Sequence, residues 1–356
     1  MPSSEHHGVS VSAYDVITSY LTDHRQRVKI GTQRSEWIHA DKGSAQGSIF
    51  GPFSYNVLTN DMFDLIDEDV EIYNYADDNT VLCSGKYLKE IKEKLLLNVN
   101  RLISWYHANN MKINSEKFQC IVFGNVDDPG EFTIDNQSIV PKNCVKLLGL
   151  HIDNKLSFCD HISYICQKAS KQVNVLVRLS NVLNERNKML LYNSFVECCF
   201  NYCCTLWHYC SNSDTYKIEN IQKRALRYVL LDKTSTYEEL LEICHKSPLY
   251  IIRLRKIVEL VYMISINKCP SYLKSLVTSN VCNKTLRSAN NMQIPRFKTV
   301  TYGKRSIKYN APLLWNSLSE EMKTSQTLSA FKQNVKLWSG IGCQCGFCVS
   351  CKINSQ

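Results

Sequence analysis

Apolar and polar positions alternate through Val70 and Ile72, and a β-prone run, Thr80-Val81-Leu82-Cys83, follows Asp77-Asp78-Asn79. Turn residues between two such runs predict a β-hairpin carrying two carboxylates at its tip. Phe132-Thr133-Ile134 and Ser138-Ile139-Val140 around Asp135-Asn136-Gln137 predict a second hairpin. Elsewhere the period is helical. Leu88, Ile91, Leu95, Val99, Leu102 and Tyr106 recur in steps of three and four, predicting a helix whose stripe packs under the sheet as core. Ile162, Ile165, Ala169, Val173 and Leu176 mark a further helix face, and Ile218, Ile221, Ala225 and Val229 another. Residues 13–21 read as a short amphipathic helix, 25–31 as an exposed basic strand, 120–123 as a strand and 189–204 as one apolar, aromatic helix. Gly149, inside an apolar strand, predicts close backbone approach, and His151 and Asp153 read as surface residues.

The fold class that follows is α+β, with an antiparallel sheet early in the chain and helices after about residue 160. The 356 residues, 44% hydrophobic and 21% charged, suit a globular chain of two or three domains. Forty-two basic against 33 acidic residues leave a net charge of +9 spread along the chain, which favours an anionic partner such as nucleic acid. No apolar run approaches the roughly 18 residues of a spanning helix, so no membrane partner is expected. Seventeen cysteines cannot all pair within one chain, and several sit in apolar context, as in Cys198-Cys199-Phe200 and Tyr202-Cys203-Cys204. That usage predicts free thiols and an intracellular protein, nuclear or cytoplasmic.

Candidate chemistry centres on Asp77 and Asp78. Neighbours on a regular strand point to opposite faces, so adjacent aspartates serve one site only where a turn breaks the alternation. Such a pair suits Mg²⁺ or Mn²⁺ working on phosphates, because it leaves coordination positions for substrate oxygens. A solvated turn is the plainer reading of the same residues. The stretch Gly43-Ser44-Ala45-Gln46-Gly47-Ser48-Ile49-Phe50-Gly51-Pro52, followed by Tyr55-Asn56 and Asn60-Asp61-Met62, adds a second motif upstream. Together with Tyr75-Ala76-Asp77-Asp78 it resembles the reverse transcriptases of non-LTR (LINE-type, jockey-like) retrotransposons.

The resemblance implies a partial reverse-transcriptase palm with a YADD hairpin over residues 1–160. A helical thumb-like region (161–280), a C-terminal extension (281–342) and a Cys-rich tail (343–356) follow. It implies Asp77 and Asp78 as catalytic metal ligands, Gln46, Gly47, Ser48 and Lys117 at the substrate, and an RNA template and DNA primer as partners. Lys117 reads equally as a solvated loop lysine. Ala45 stands where the family has proline, which loosens that loop. Residues 146–153 resemble the family's primer-grip strand pair.

The family's remaining metal carboxylate lies in a segment of the form F-x-x-A-F-D. Upstream of Gly43 only Asp15, Asp23 and Asp41 are candidates, and none has that context. The expectation is therefore an N-terminally truncated RNA-directed DNA polymerase, inactive alone, with a sheet edge or face left uncovered. The alternative is a non-catalytic nucleic-acid-binding protein. It would use Lys217, Lys223, Arg224 and Arg227, which lie off the buried face of their helix and read either as phosphate contacts or as solvated surface. Cys343, Cys345, Cys348 and Cys351, spaced C-x-C-x2-C-x2-C, suit either four thiolate ligands to one structural Zn²⁺ or a plain cysteine-rich tail.

Overall fold

The computed structural model describes residues 10–40, 43, 47–126, 128–279 and 290–340. The chain divides into one unit of residues 1–120 and 127–141 and another of residues 121–126 and 142–356.

In the first unit, Ser10 accepts a hydrogen bond from the Ala13 N–H and starts α1 (Val11–Leu21). The basic segment after it splits into two-residue strands. Arg25–Gln26 pairs with Ile38–His39, and Lys29–Ile30 with Gln33–Arg34, all of them exposed. α2 (Phe50–Leu58) precedes β1 (Val70–Tyr75) and β2 (Asp78–Cys83), which pair antiparallel with Val70 opposite Cys83. Alternation on β1 follows the pleat: Val70 is buried, Ile72 and Asn74 half-buried, and Glu71, Tyr73 and Tyr75 exposed.

α3 (Leu88–Ala108) packs against β2 and against β3 (Phe132–Ile134). Its apolar stripe is less buried than its period predicts. Only Leu102 and Asn98 are buried, while Leu88, Ile91, Leu95, Val99 and Tyr106 remain half-buried, because only short two-stranded pieces cover the helix. Asn98 is tolerated inside because its amide donates to Asp67 Oδ2 and its Oδ1 accepts the Asp67 N–H, both at 2.9 Å. β4 (Gln137–Ile139) returns against β3 through Asp135 and Asn136, both at positive φ, so Gln137 belongs to the strand and not to the turn. Residues 120–123 form no strand. They are β-prone, but a strand needs a ladder partner, and among the described residues none lies beside them.

The second unit opens with β5 (Cys144–Leu147) and β6 (Leu150–Asp153), joined by Leu148 and Gly149 at φ +46° and +86°. A Cβ on Gly149 would meet only the Tyr202 ring at 3.7 Å, an ordinary contact, so this glycine serves the turn's φ rather than close approach. Asp153 is likewise not a surface residue. Its buried carboxylate accepts the backbone N–H groups of Lys155, Ser157 and Phe158 at 3.1, 3.0 and 2.6 Å and shapes the entry to α4 (Cys159–Leu179).

On α4 all five positions of the apolar face are 5% exposed or less. The expected single helix of residues 189–204 is instead broken. α5 (Glu185–Leu191) runs into a wide π-turn over Tyr192–Val196, then a 3-10 turn over Glu197–Phe200, and Cys203 takes a left-handed φ of +48°. Tyr192, Val196 and Phe200 all reach the core from this path.

α6 (Asn212–Leu230) buries Ile218, Ala225 and Val229 fully and Ile221 partly, and a capping box of Thr236 and Glu239 starts α7 (Tyr237–Ile243). Buried Glu219 on α6 accepts the Tyr237 hydroxyl at 2.5 Å. It also accepts the N–H groups of Leu249 and Tyr250 at 3.1 and 2.7 Å, capping α8 (Leu249–Ser265). α9 (Ile307–Asn316) and α10 (Leu328–Val335) close a second core on α8, where Phe331 stacks on Tyr262 at 4.2 Å. No helix among the described residues is long and apolar enough to cross a membrane.

Candidate functional site

The hairpin tip is a two-residue loop. Tyr75 lies opposite Asp78, and Ala76 and Asp77 connect them. The turn therefore falls earlier than Asp77-Asp78-Asn79, and Asp78 and Asn79 are strand residues. Ala76 makes this possible by taking a left-handed φ of +52°, a conformation an L side chain adopts at a cost. Both carboxylates are exposed, Asp77 on the loop and Asp78 on the first residue of β2.

Behind the tip, three elements of the first unit converge. Asn79, opposite Asn74, donates to the Tyr106 hydroxyl of α3 at 2.5 Å, and that hydroxyl lies 3.9 Å from Met62 Sδ. Tyr55 of α2 stands beside them. Burial pushes its phenol up to about 12, helped by the Tyr106 phenol and, less, by the charge of Asp77. Tyr55 thus stays protonated near the carboxylate pair. Tyr106 carries no site signal in the sequence, since it continues an apolar stripe, and Tyr55 appears there only as part of the upstream motif, with no role of its own assigned. Asn74-x4-Asn79 flanking the tip was the available clue, because each Oδ1 is buried without a hydrogen-bond partner among the described residues.

Gly43 and Gly47 adopt φ +85° and +81° with open space beside each α-carbon. Gln46 lies outside the described residues. Ser48 Oγ accepts the Gly51 N–H at 2.9 Å and the Tyr20 hydroxyl, which fixes the start of α2. Lys117 is exposed in the turn Ser115–Lys117. Of the upstream acids, Asp15 is exposed on α1, Asp23 pairs with Arg25 at 3.4 Å and His39 at 3.5 Å, and Asp41 lies outside the described residues. Among the described residues no cluster of three His, Cys, Asp or Glu side chains could hold a metal. Two adjacent exposed carboxylates are the donor type that Mg²⁺ takes alongside water and substrate oxygens.

In the second unit the four basic residues of α6 are not equivalent. Lys217 pairs with Asp214 at 2.8 Å, and Arg224 is exposed and donates to Asn174 Oδ1 at 2.8 Å. Lys223 and Arg227 are half-buried. The twelve cysteines described are all free thiols. Cys343, Cys345, Cys348 and Cys351 lie outside the described residues.

Comparison with known proteins bears on this geometry. Residues 3–152 match the family model described as reverse transcriptase (RNA-dependent DNA polymerase). The chain is 29% identical over 230 residues to the RNA-directed DNA polymerase from mobile element jockey of Drosophila melanogaster, covering 61% of this chain and 25% of that protein. It is 25% identical over 229 residues to the probable RNA-directed DNA polymerase from transposon BS of the same fly, covering 61% of this chain and 25% of that protein. The Pol polyprotein from type-1 retrotransposable element R1 2 of Nasonia vitripennis is 24% identical over 208 residues, covering 53% of this chain and 48% of that protein. The chain thus spans about a quarter of the length of the two fly proteins. No solved structure matches it.

Proposed function

Residues 3–152 belong to the reverse transcriptase family, of the non-LTR retrotransposon type, and from that premise we propose that the first unit is palm of an RNA-directed DNA polymerase, acting on an RNA template and a DNA primer. Asp77 and Asp78 would hold one Mg²⁺ or Mn²⁺. The observation that carries this reading is the exposed carboxylate pair on a tip supported from behind by Asn79, Tyr106 and Tyr55. When bound, the ion neutralises charge on a reacting phosphate and lowers the pKa of the attacking hydroxyl. The chain's own residues do the positioning. Asp77 and Asp78 present negative charge to open surface, protonated Tyr55 lies within electrostatic reach of Asp77, and the open glycines at 43 and 47 let a substrate approach the backbone. Lys117 would offer a cation to the nucleotide phosphates.

Because the pair supports one ion, the proposed site binds metal without turning over by itself. Titration of Mn²⁺ followed by electron paramagnetic resonance should find one weak site per chain, lost in the double variant Asp77→Asn, Asp78→Asn. Absence of any such site sinks the metal reading. Primer extension on an RNA template with Mg²⁺ or Mn²⁺ should give no product, and product that disappears in Asp77→Ala would overturn the inactivity. A second reading, nucleic-acid binding without catalysis, draws on Arg224, exposed on α6 with a neutral amide as its partner.

A further inference from the structure

Hairpin β5–β6, α4 and the broken segment after α5 enclose a cavity of about 240 Å³, entirely within the second unit. Lys146, Gly149, His161, Tyr164, Lys168 and Tyr202 are the lining residues that matter, and no Asp or Glu lines it among the described residues. His161 is 1% exposed. Its Nδ1 accepts the backbone N–H of His151 at 3.4 Å, which places the imidazole proton on Nε2. That Nε2–H is buried and has no hydrogen-bond partner among the described residues. A buried donor without an acceptor is costly and marks a place where an acceptor belongs.

The charge at the cavity points the same way. Lys146 and Lys168 are both exposed at it, with Lys146 Nζ 5.9 Å from the Tyr164 ring centroid. The Tyr202 hydroxyl is already committed, donating to the Leu148 carbonyl. Two cations, one buried N–H donor and no opposing carboxylate describe a receptor for an anion with several acceptor oxygens. The cavity is smaller than the roughly 300–1,000 Å³ of pockets that bury a drug-sized ligand, so it suits a phosphate group rather than a whole nucleotide.

We propose that this cavity binds a phosphate group, as inorganic phosphate or a terminal phosphate monoester, with Lys146 and Lys168 on its outer oxygens and His161 Nε2–H as the inner donor. Burial, and then neighbouring His151, lowers the His161 pKa to about 4, so the ring donates as a neutral group at physiological pH.

The test uses the full chain with ¹⁵N-labelled histidine, titrated with inorganic phosphate at pH 7.5 and constant ionic strength. The His161 Nε2–H resonance, identified by its absence in His161→Gln, should shift and saturate. Lys146→Ala and Lys168→Ala, both surface changes, should each raise the dissociation constant about tenfold, the order expected for one charged hydrogen bond. Lys233→Ala, outside the cavity, should leave it unchanged. A shift that grows without saturating, or saturation untouched by both cavity lysine variants, overturns the site. Competing oligonucleotides then separate the sources. Displacement by a 5′-phosphorylated strand but not its 5′-hydroxyl twin supports a terminal phosphate, and displacement by neither supports free phosphate. Equal displacement by both overturns the proposal, since internal phosphodiesters would then be the ligand.

Discussion

Ala76 occupies a backbone region that costs an L residue roughly 1–2 kcal/mol, and it does so immediately before two exposed carboxylates. Ala76→Gly should therefore stabilise the first unit by up to about 1 kcal/mol in urea unfolding. A variant no more stable than its parent would mean that the tip is unstrained. Two buried histidines make the second unit sensitive to acid. His161 is lowered to about 4 by burial and then His151, and His208 well below its ordinary value by burial and then Arg253. Both values lie below the unfolded one of about 6.5. The unfolded chain therefore takes up protons that the folded one refuses. The stability present above pH 6.5 is lost as pH falls from there toward 4. The urea midpoint of this unit should drop between pH 7.5 and 5, and His161→Gln should shrink the drop. A midpoint that rises toward pH 5 would contradict the burial of both rings.

At the scale of elements, α6 carries two testable roles. Lys217 already faces Asp214, so its removal should change nucleic-acid affinity little, whereas Arg224 has only a neutral amide as partner among the described residues. Replacing Lys217, Lys223, Arg224 and Arg227 together by Ala should flatten the log–log salt dependence of binding by fewer than four units, at about one per phosphate contact. An unchanged slope returns all four to plain surface. On the inner side, Glu219→Ala leaves two N–H groups at the start of α8 without their acceptor, while the Tyr237 hydroxyl keeps Gln222 Oε1 at 2.6 Å. A loss of about 2–4 kcal/mol is expected in denaturant unfolding. These contrasts mark the limit of what sequence discloses. The faces of α4 and α6 were legible because burial repeats with the helical period, and the tip aspartates because turn residues separate two β-prone runs. Glu219, Asp153 and His161 were not, since a polar residue reads as surface until its partners, distant in sequence, are known. Ala76 was invisible because nothing local to alanine announces a left-handed turn, and residues 120–123 misled because a strand depends on a neighbour.

For the whole molecule, burial is unequal. Among the described residues only six of the forty fully buried apolar residues, Met62, Val70, Leu102, Phe132, Ile134 and Ile139, belong to the first unit. That unit also exposes Tyr73, Tyr75 and Leu82 on its main hairpin. Small cores give marginal stability, so denaturant unfolding should show two transitions, the first reported by Trp105 and the second by Trp207. A single coincident transition for both tryptophans would show that the units unfold as one. The division of the chain between these units also sets how it can be taken apart. The backbone passes from the first unit to the second at residue 120, returns by residue 127 and leaves again after 141. A cut at 120 hands β3, whose Phe132 is 3% exposed and sits beneath Lys92 of α3, to the other piece. Neither half is then a self-sufficient module, and a split chain should recover its fold only by complementation, with residues 127–141 supplied in trans to the strand-poor half.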